Sequence, residues 1–164
     1  MSTRALIGKI NEDGTIITIY NHSDGYVEHL GCVLNENITA ENIDEIFKLG
    51  YISYVGTKEE ISELAYSYSN LSDSISKHMK AYYDSFIDIP NTNLCYSSAN
   101  PGENTIVVYA DKKDLNKDLK KYAFGVEYVY LFDTISNKWK YIDVWDSKRM
   151  KSLDKAIRRL NKEV

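Results

Sequence analysis

Residues 3–20 read TRALIGKINEDGTIITIY. They contain two short runs of mostly aliphatic and β-branched residues, Thr3–Ile10 and Thr15–Tyr20, separated by the polar sequence NEDG. Asp-Gly between two such runs favours a tight turn, because the turn needs a positive φ that glycine adopts at little cost. The stretch therefore predicts a β-hairpin at the start of the chain.

The middle of the chain carries helical patterns. A polar turn at residues 21–25 precedes a short predicted helix over Tyr26–Leu34. The further predicted helices are Ala40–Leu49 capped by Thr39, a helix opened by the capping box Thr57–Glu60 and continuing to Tyr68, and a segment from Ile75 to Phe86. In a capping box the threonine hydroxyl and the glutamate carboxylate each satisfy a backbone amide of the first helical turn.

The second half of the chain returns to strand patterns. The predicted strands are Asn93–Tyr96, Thr105–Tyr109, Glu127–Asp133 and Trp139–Trp145. Asp111 caps a predicted helix over Lys112–Ala123, and a last helix runs from about Ser147 to the end. These patterns predict an α+β fold with a mainly antiparallel sheet. Because no repeat or linker interrupts the chain, we expect one domain over residues 1–164.

Composition excludes several classes of protein. Of the 164 residues, 43% are apolar and 27% are charged, as in ordinary globular domains. The sequence has no apolar run long enough to predict a membrane-spanning helix, and Met1–Gly8 lacks the pattern of a secretory signal. We therefore expect a cytoplasmic protein in which Cys32 and Cys95 remain unpaired.

Charge is distributed unevenly along the chain. The net charge is −8 over residues 1–90 and +4 over residues 91–164. Either the two halves face one another in the fold, or each presents a face to a different partner.

The densest polar cluster lies at residues 21–29, which read NHSDGYVEH. Its candidate site residues are His22, Asp24, Tyr26, Glu28 and His29. Two histidines and two carboxylates at this density would suit a divalent metal or acid–base chemistry. Their spacing matches no established ligand pattern, so we expect no metal. The alternative is a structural turn, in which Glu28 complements the dipole of a short helix.

The last predicted helix is amphipathic. Its apolar stripe consists of Met150, Leu153, Ile157, Leu160 and Val164, and its opposite face carries Lys148, Lys151, Lys155, Arg158, Arg159 and Lys162. We expect the stripe to dock on the sheet. The basic face is then either simply solvated or a binding surface for an acidic protein or for nucleic-acid phosphates.

Tyrosine is abundant, with 14 copies. Tyr66, Tyr68, Tyr82 and Tyr83 lie in the acidic helical region, where we expect half of them to fill the core. The others would form a patch suited to binding a protein, because a tyrosine ring buries a large area while its hydroxyl stays hydrated.

Sequence motifs of catalysis are missing. The chain has no phosphate-binding glycine loop, no Gly-x-Ser-x-Gly sequence and no Cys-x-x-Cys pair. We therefore predict no catalytic residues, no cofactor and no enzymatic activity.

Five segments of the chain follow a recognisable pattern: residues 2–8 (STRALIG), 13–16 (DGTI), 20–31 (YNHSDGYVEHLG), 127–132 (EYVYLF) and 138–141 (KWKY). Through these segments the chain resembles a family of small phage and prophage proteins. The family pattern resembles TRAxIG, DGT and IYxHxDGYPExxG. This chain departs from it at Ser23, where tryptophan is common, and at Val27, where proline is common. Residues 99–103 stand in place of a charged loop.

The resemblance implies a phage setting. We therefore expect an accessory protein that binds a host protein of transcription, replication or antiviral defence. One alternative is a small metal-dependent hydrolase or nucleotide-binding protein built on His22, Asp24, Glu28 and His29. Another is nucleic-acid binding through the last helix. We expect no membrane partner, and the sequence leaves the oligomeric state open.

Overall fold

The computed structural model describes residues 2–121, 125–146 and 149–163. Within these ranges the strands are β1 (Arg4–Ile10), β2 (Ile16–Asn21), β3 (Tyr54–Thr57), β4 (Ile87–Asp88), β5 (Leu94–Ser97), β6 (Val107–Tyr109), β7 (Val126–Asp133), β8 (Lys138–Asp143) and β9 (Lys151–Ser152). The helices are α1 (Cys32–Asn37), α2 (Ile43–Ile46), α3 (Lys58–Ser67), α4 (Ser74–Asp84), α5 (Lys112–Lys121) and α6 (Leu153–Lys162). A π-helical turn, Val27–Gly31, leads directly into α1.

The described strands form two sheets. The larger sheet has the order β6-β2-β1-β7-β8-β9 and is antiparallel throughout, except that β1 and β7 run parallel at its centre. The smaller sheet has the order β3-β5-β4 and is antiparallel. The fold is therefore α+β with mostly antiparallel pairing, as the sequence predicted.

The larger sheet is covered on both faces, because successive side chains of a strand point to opposite sides. On one face, Ile7 and Tyr130 belong to a large core with the π-helical turn, α1, α2 and α6. On the other face, Leu131 packs with Leu115 and Leu119 of α5 in a second core.

The smaller sheet lies between the large core and a pair of helices. Val55 and Leu94 belong to the large core. The opposite face, which carries Gly56 and Cys95, faces α3 and α4. A Cβ on Gly56 would lie 3.2 Å from the Ile61 side chain of α3. We call α3 and α4 together the helical hairpin.

Several predictions from sequence are confirmed. The β1–β2 hairpin pairs Ile10 with Ile16, and Gly14 in its turn has a φ of 88°. Thr57 caps α3 by accepting from the Glu60 amide at 3.0 Å. Cys32 and Cys95 are free. No described helix is long and apolar enough to cross a membrane.

Other predictions were wrong in their bounds. The helix expected over Ala40–Leu49 is reduced to α2, because Asn42 holds residues 37–42 in a turn by accepting from the Thr39 amide at 2.8 Å and donating to the Asn37 carbonyl. The last helix begins at Leu153, since residues 151–152 form β9. The predicted helical positions Ser147 and Lys148, residues 122–123 of the preceding predicted helix, and Val164 of the apolar stripe lie outside the described residues.

Candidate functional site

The loop after β2 is anchored to the sheet. Gly25 packs so closely that a Cβ there would lie 2.7 Å from the Cβ of Ala5, and its carbonyl accepts a 2.6 Å hydrogen bond from the buried hydroxyl of Tyr130. Asp24 adopts a positive φ of 52°. The π-helical turn that follows therefore starts from a fixed position, and it presents His29.

His29 is the centre of a hydrogen-bonded network. Its Nδ1 lies 3.2 Å from the Asp24 carbonyl oxygen, and its Nε2 lies 2.9 Å from the hydroxyl oxygen of Tyr54. The Tyr54 hydroxyl donates to Oε1 of Glu60 at 2.6 Å, and that oxygen lies 3.3 Å from His29 Nε2. We call His29, Tyr54 and Glu60 the His29 network.

The geometry selects one protonation state of His29. A carbonyl oxygen only accepts, so Nδ1 must carry a proton that it donates to Asp24. The single proton of Tyr54 is donated to Glu60, so Nε2 must also be a donor. Both ring nitrogens then carry protons, and the imidazolium faces the Glu60 carboxylate.

The electrostatics of the network agree with this assignment. Burial by itself would lower the pKa of His29, but the hydrogen bond and charge of Glu60 outweigh it and raise that pKa. The His29 hydrogen bond lowers the pKa of Glu60 against the effect of burial, helped by Tyr54 and by the backbone amide of Thr57. Burial and Glu60 raise the pKa of Tyr54, so the phenol stays protonated. The network can hold a half-buried imidazolium paired with the Glu60 carboxylate, and it can donate a proton.

The candidate metal and acid–base residues do not come together. His22 Nδ1 lies 3.0 Å from the Tyr20 hydroxyl, and its ring lies beside that of Tyr51, whereas His29 faces Tyr54 and Glu60. Glu28 is exposed, and Asp24 offers His29 its backbone carbonyl. Among the residues that the structure describes, no three His, Cys, Asp or Glu side chains could hold a metal ion. The loop after β2 and the π-helical turn therefore place the two histidines in different surroundings, each with its own hydrogen-bond partners.

Aromatic rings connect the His29 network to the helical hairpin. The ring centroids of Tyr54 and Phe86 are 5.8 Å apart, and Phe86 contacts Tyr82 at 5.2 Å. Tyr83 lies 5.1 Å from Tyr82 and stacks on Tyr68 at 6.0 Å. We call these five residues the tyrosine cluster. Rings at such distances and tilts attract one another beyond simple burial.

The tyrosines of the hairpin are more exposed than the sequence suggested. None of Tyr66, Tyr68, Tyr82 and Tyr83 is buried, so the expectation that half of them fill the core was wrong. The rings of Tyr68, Tyr82 and Tyr83 pack against one another on the outer side of the smaller sheet, whose inner side already completes the core. Tyr26 is also exposed and stands 6.1 Å from the His29 ring.

The hairpin presents large apolar side chains to solvent. Tyr66 is 73% exposed and Ile75 is 75% exposed, and Leu71 between the helices is exposed as well. By contrast, the only buried side chains of its two helices are Ile61 and Ser76, within the described residues. Within the described residues, the helical hairpin therefore exposes more large apolar side chains than it buries.

The basic residues that the sequence placed on the last helix divide into paired and unpaired groups, and one of them, Lys151, lies in β9 just before α6. Lys151 binds Asp146 at 2.5 Å and Arg158 binds Asp154 at 2.9 Å. The exposed residues Lys155, Arg159 and Lys162 show no ion pair among the described residues. The stripe prediction is confirmed for Leu153 and Ile157, which are buried in the large core.

A cationic groove lies at the start of α6. It has a volume of about 380 Å³ and is lined by Tyr141, Arg149, Met150, Lys151, Ser152, Lys155, Ala156 and Arg159. Four positive side chains therefore share one concave surface, and Asp146 offsets part of their charge. The sequence predicted the basic face but not the groove, because Tyr141 comes from β8.

Reasoning from the sequence missed Tyr54, Glu60 and Phe86. Glu60 was assigned to the capping box, and the Thr57 amide does contribute to its lowered pKa. Its contacts with His29 and Tyr54 depend on how the π-helical turn and β3 meet in space. The only local signal was a glutamate close after a tyrosine, which is far too common to be diagnostic.

Comparison of the chain with family models, curated proteins and solved structures gives no match. Any functional conclusion therefore depends on the geometry of the chain itself.

Proposed function

We propose that this is a phage-encoded accessory protein that acts by binding a host protein through the helical hairpin. The observation that carries the proposal is the exposure of Tyr66, Ile75 and Tyr82 on two helices that bury few side chains, and of Leu71 between those helices. Complete burial of a leucine or isoleucine side chain stabilises a protein by roughly 1.5–3 kcal/mol. The exposed Leu71 and Ile75 do not contribute all of this free energy to folding. A partner that covers them recovers that free energy.

The composition of the hairpin fits a protein interface. Tyrosine is enriched among the residues that contribute most to binding, because its ring is large and loses little conformational entropy. In the tyrosine cluster the rings hold one another in place, so less entropy is lost when a partner binds. The tyrosine cluster, to which the exposed Tyr82 belongs, is thus preorganised for contact.

The negative charge of the helical hairpin restricts the kind of partner surface that it can bind. Residues 57–88 contain six carboxylates and three lysines, and two of the lysines are paired with Asp88 and Asp84. The excess of negative charge favours a partner surface with an apolar centre and a basic rim. A host protein of transcription, replication or antiviral defence is the target class that we propose.

The experiment is capture of partners from a lysate of the bacterial host, with the wild-type chain and matched variants as bait. We expect Tyr66→Ala and Ile75→Ala to lose a partner that the wild type retains at physiological salt. Trp145→Ala is the control, because Trp145 is 73% exposed but lies just beyond β8, outside the hairpin. Thermal unfolding of each bait checks that it is folded. A partner lost equally with Trp145→Ala, or no partner at all, would contradict the proposal.

A second candidate function is nucleic-acid binding through α6. It is supported by the cationic groove and by the unpaired Lys155 and Arg159. Binding to phosphates releases counterions, so affinity for duplex DNA would fall steeply with salt. Lys155→Glu with Arg159→Glu would abolish the interaction, whereas Arg158→Ala would change it little. A complex that salt does not weaken would exclude this candidate.

A further inference from the structure

A second cavity adjoins the cationic groove at α6. It has a volume of about 250 Å³, and Tyr141, Ala156 and Arg159 line both cavities, so the two lie side by side and form one cleft. The π-helical turn, β7, β8 and the last half of α6 contribute its walls. Because it contains the carboxylates of Glu28 and Asp143, we call it the acidic pocket, and we call both cavities together the α6 cleft.

The two ends of the α6 cleft carry opposite charge. The cationic groove has four positive side chains, and Asp146 offsets one of them by pairing with Lys151. In the acidic pocket, Glu28 and Asp143 make no ion pair within the part of the chain that the structure describes. Arg159 lies where the two cavities meet. A ligand that fills the cleft is therefore anionic at one end and a hydrogen-bond donor at the other.

The strand register sets the distance between these two ends. Lys151 of β9 lies opposite Tyr141 of β8, and Asp143 of β8 lies opposite Tyr128 of β7. Since Tyr141 and Asp143 are two residues apart, all four side chains lie on the same face of the sheet. Strands about 4.8 Å apart with a rise of about 6.8 Å for two residues place the Cα atoms of Lys151 and Asp143 roughly 8 Å apart. The ligand thus needs a spacer between its anionic and its donor group.

The floor of the acidic pocket is aromatic. Tyr128 and Tyr141 are partly buried there, and Leu160 of α6 adds an apolar side chain. Burial raises the pKa of Tyr128, and the charges of Asp143 and Glu28 raise it further, so both carboxylates lie near its hydroxyl. A planar ring with N–H groups along one edge suits such a pocket, because its face packs on tyrosine while its edge donates to the carboxylates.

A nucleotide has these chemical groups in the required order. Its phosphate carries a charge of about −2 at neutral pH, its sugar is the spacer, and its base is the planar ring. Guanine is the base that matches carboxylates, because its N1–H and its 2-amino group lie side by side and can donate to both oxygens of one carboxylate. Adenine and cytosine present an amino group beside an acceptor nitrogen, which a carboxylate repels.

We propose that the α6 cleft binds a guanine nucleotide, with the phosphate against Lys155 and Arg159 and the base over Tyr128, where Glu28 and Asp143 accept its N–H groups. No residue of the helical hairpin lines either cavity, so the site is separate from the proposed protein interface. The chain then has one surface for a protein and one cleft for a small molecule.

Isothermal titration calorimetry of the full chain with three ligands tests the proposal. We expect guanosine 5′-monophosphate to bind. Guanosine, which lacks the phosphate, and adenosine 5′-monophosphate, which lacks the paired donors, should each bind at least about tenfold more weakly. No binding of guanosine 5′-monophosphate at millimolar concentration would overturn the proposal, and so would equal affinity for either of the other two ligands.

Variants test the two ends of the cleft separately. Arg159→Ala should weaken both monophosphates by about tenfold, and Glu28→Gln should weaken guanosine 5′-monophosphate but not adenosine 5′-monophosphate. Arg158→Ala is the control, because Arg158 pairs with Asp154 and lines neither cavity. Thermal unfolding checks that each variant is folded. Wild-type affinity in Arg159→Ala, or equal effects of Glu28→Gln on both monophosphates, would overturn the proposal.

Duplex DNA separates this site from nucleic-acid binding through α6. Paired bases do not offer their N–H edges to Glu28, so Glu28→Gln should leave any binding of duplex DNA unchanged while it weakens guanosine 5′-monophosphate. Duplex binding that is intact in the presence of Glu28→Gln, together with an unchanged affinity for guanosine 5′-monophosphate, would mean that the cleft recognises phosphate alone and would contradict the proposal.

Discussion

Nε2 of His29 lies 3.3 Å from Oε1 of Glu60, although 30 residues separate them in the chain. The Tyr54 hydroxyl contacts both, at 2.9 Å and 2.6 Å respectively. An ion pair bridged by a phenol joins three elements of the fold: the π-helical turn, β3 and α3. It therefore couples the protonation of one histidine to the packing of the smaller sheet.

Glu60→Gln should lower the pKa of His29. The substitution removes the negative charge that opposes burial, while the burial that favours the neutral ring remains. The His29 ring proton shifts, followed by NMR across the pH range, would report the change. Glu59→Gln is the control, since Glu59 is exposed at the next position. An unchanged titration of His29 in Glu60→Gln would contradict the assigned network.

Stability should depend on pH through the same pair. The pKa of His29 is raised above its ordinary 6.5, so its contribution is complete below 6.5 and is lost as the pH rises through the raised value. The pKa of Glu60 is lowered below 4.5, so its contribution is complete above 4.5 and is lost as the pH falls through the lowered value. The pair therefore contributes most between pH 4.5 and 6.5.

The measurement is the free energy of unfolding in urea at about pH 5.5 and about pH 8.5. Other groups titrate as well, so the quantity to compare is the difference between the wild type and Glu60→Gln at each pH. We expect that difference to be larger at the lower pH. A difference that grows towards alkaline pH would show that His29 is neutral in the folded protein.

Tyr54→Phe should destabilise the protein by about 1–2 kcal/mol, because it removes the donor to Glu60 and the acceptor for His29. The ring and its contact with Phe86 remain, so little apolar packing is lost. Urea unfolding gives the value. Tyr26→Phe serves as the matched control, because Tyr26 is exposed. Equal effects of the two substitutions would mean that the bridging hydroxyl contributes nothing.

Leu153→Ala should cost about 2–5 kcal/mol, the range for emptying a buried leucine site. Leu153 is fully buried in the large core and lies against Gly31. Lys155→Ala, two residues further along and on the exposed side of α6, should change stability by no more than about 0.5 kcal/mol. Thermal or urea unfolding of both variants separates the docking side of α6 from its solvated side.

Gly25→Ala should be more damaging than Gly14→Ala. A Cβ at Gly25 would lie 2.7 Å from the Cβ of Ala5 and 2.9 Å from the Thr3 carbonyl oxygen. Overpacking of that kind typically costs 1–3 kcal/mol or more. A Cβ at Gly14 would meet no other atom within 4 Å. Gly14→Ala is therefore penalised only because alanine disfavours the positive φ of 88° at this position, which costs about 1 kcal/mol. The reverse order in unfolding experiments would mean that the loop after β2 is free to move.

Features encoded in neighbouring residues could be read from the sequence. The turn at Gly14, the cap at Thr57 and the amphipathic stripe containing Leu153 and Ile157 all depend on side chains within a few positions, and the structure has them. The strands β3, β4 and β9 were not predicted. For β4 and β9 the reason is their length, because two residues carry no periodic pattern.

The candidate site was harder to predict because its contacts are tertiary. The density of polar residues around His29 correctly indicated the loop that contributes to the site. It did not show that His22 and His29 have different hydrogen-bond partners. Glu60 fulfils a local role at the start of α3, which hides its second role in the network. The spacing of residues 22–29 alone contains no information on β3.

The parallel pairing of β1 with β7 constrains how the molecule assembles. Ile7 of the first strand aligns with Tyr130, and residues 11–125 lie between the two strands. Until the ribosome has synthesised β7, the N-terminal hairpin has no strand to pair with on its β1 side, and its apolar face remains exposed to solvent. Closing so long a loop is entropically costly, so formation of the central pair is expected to be slow and late. Chaperone dependence during synthesis, followed by slow maturation after β7 emerges, is the behaviour that this connectivity favours.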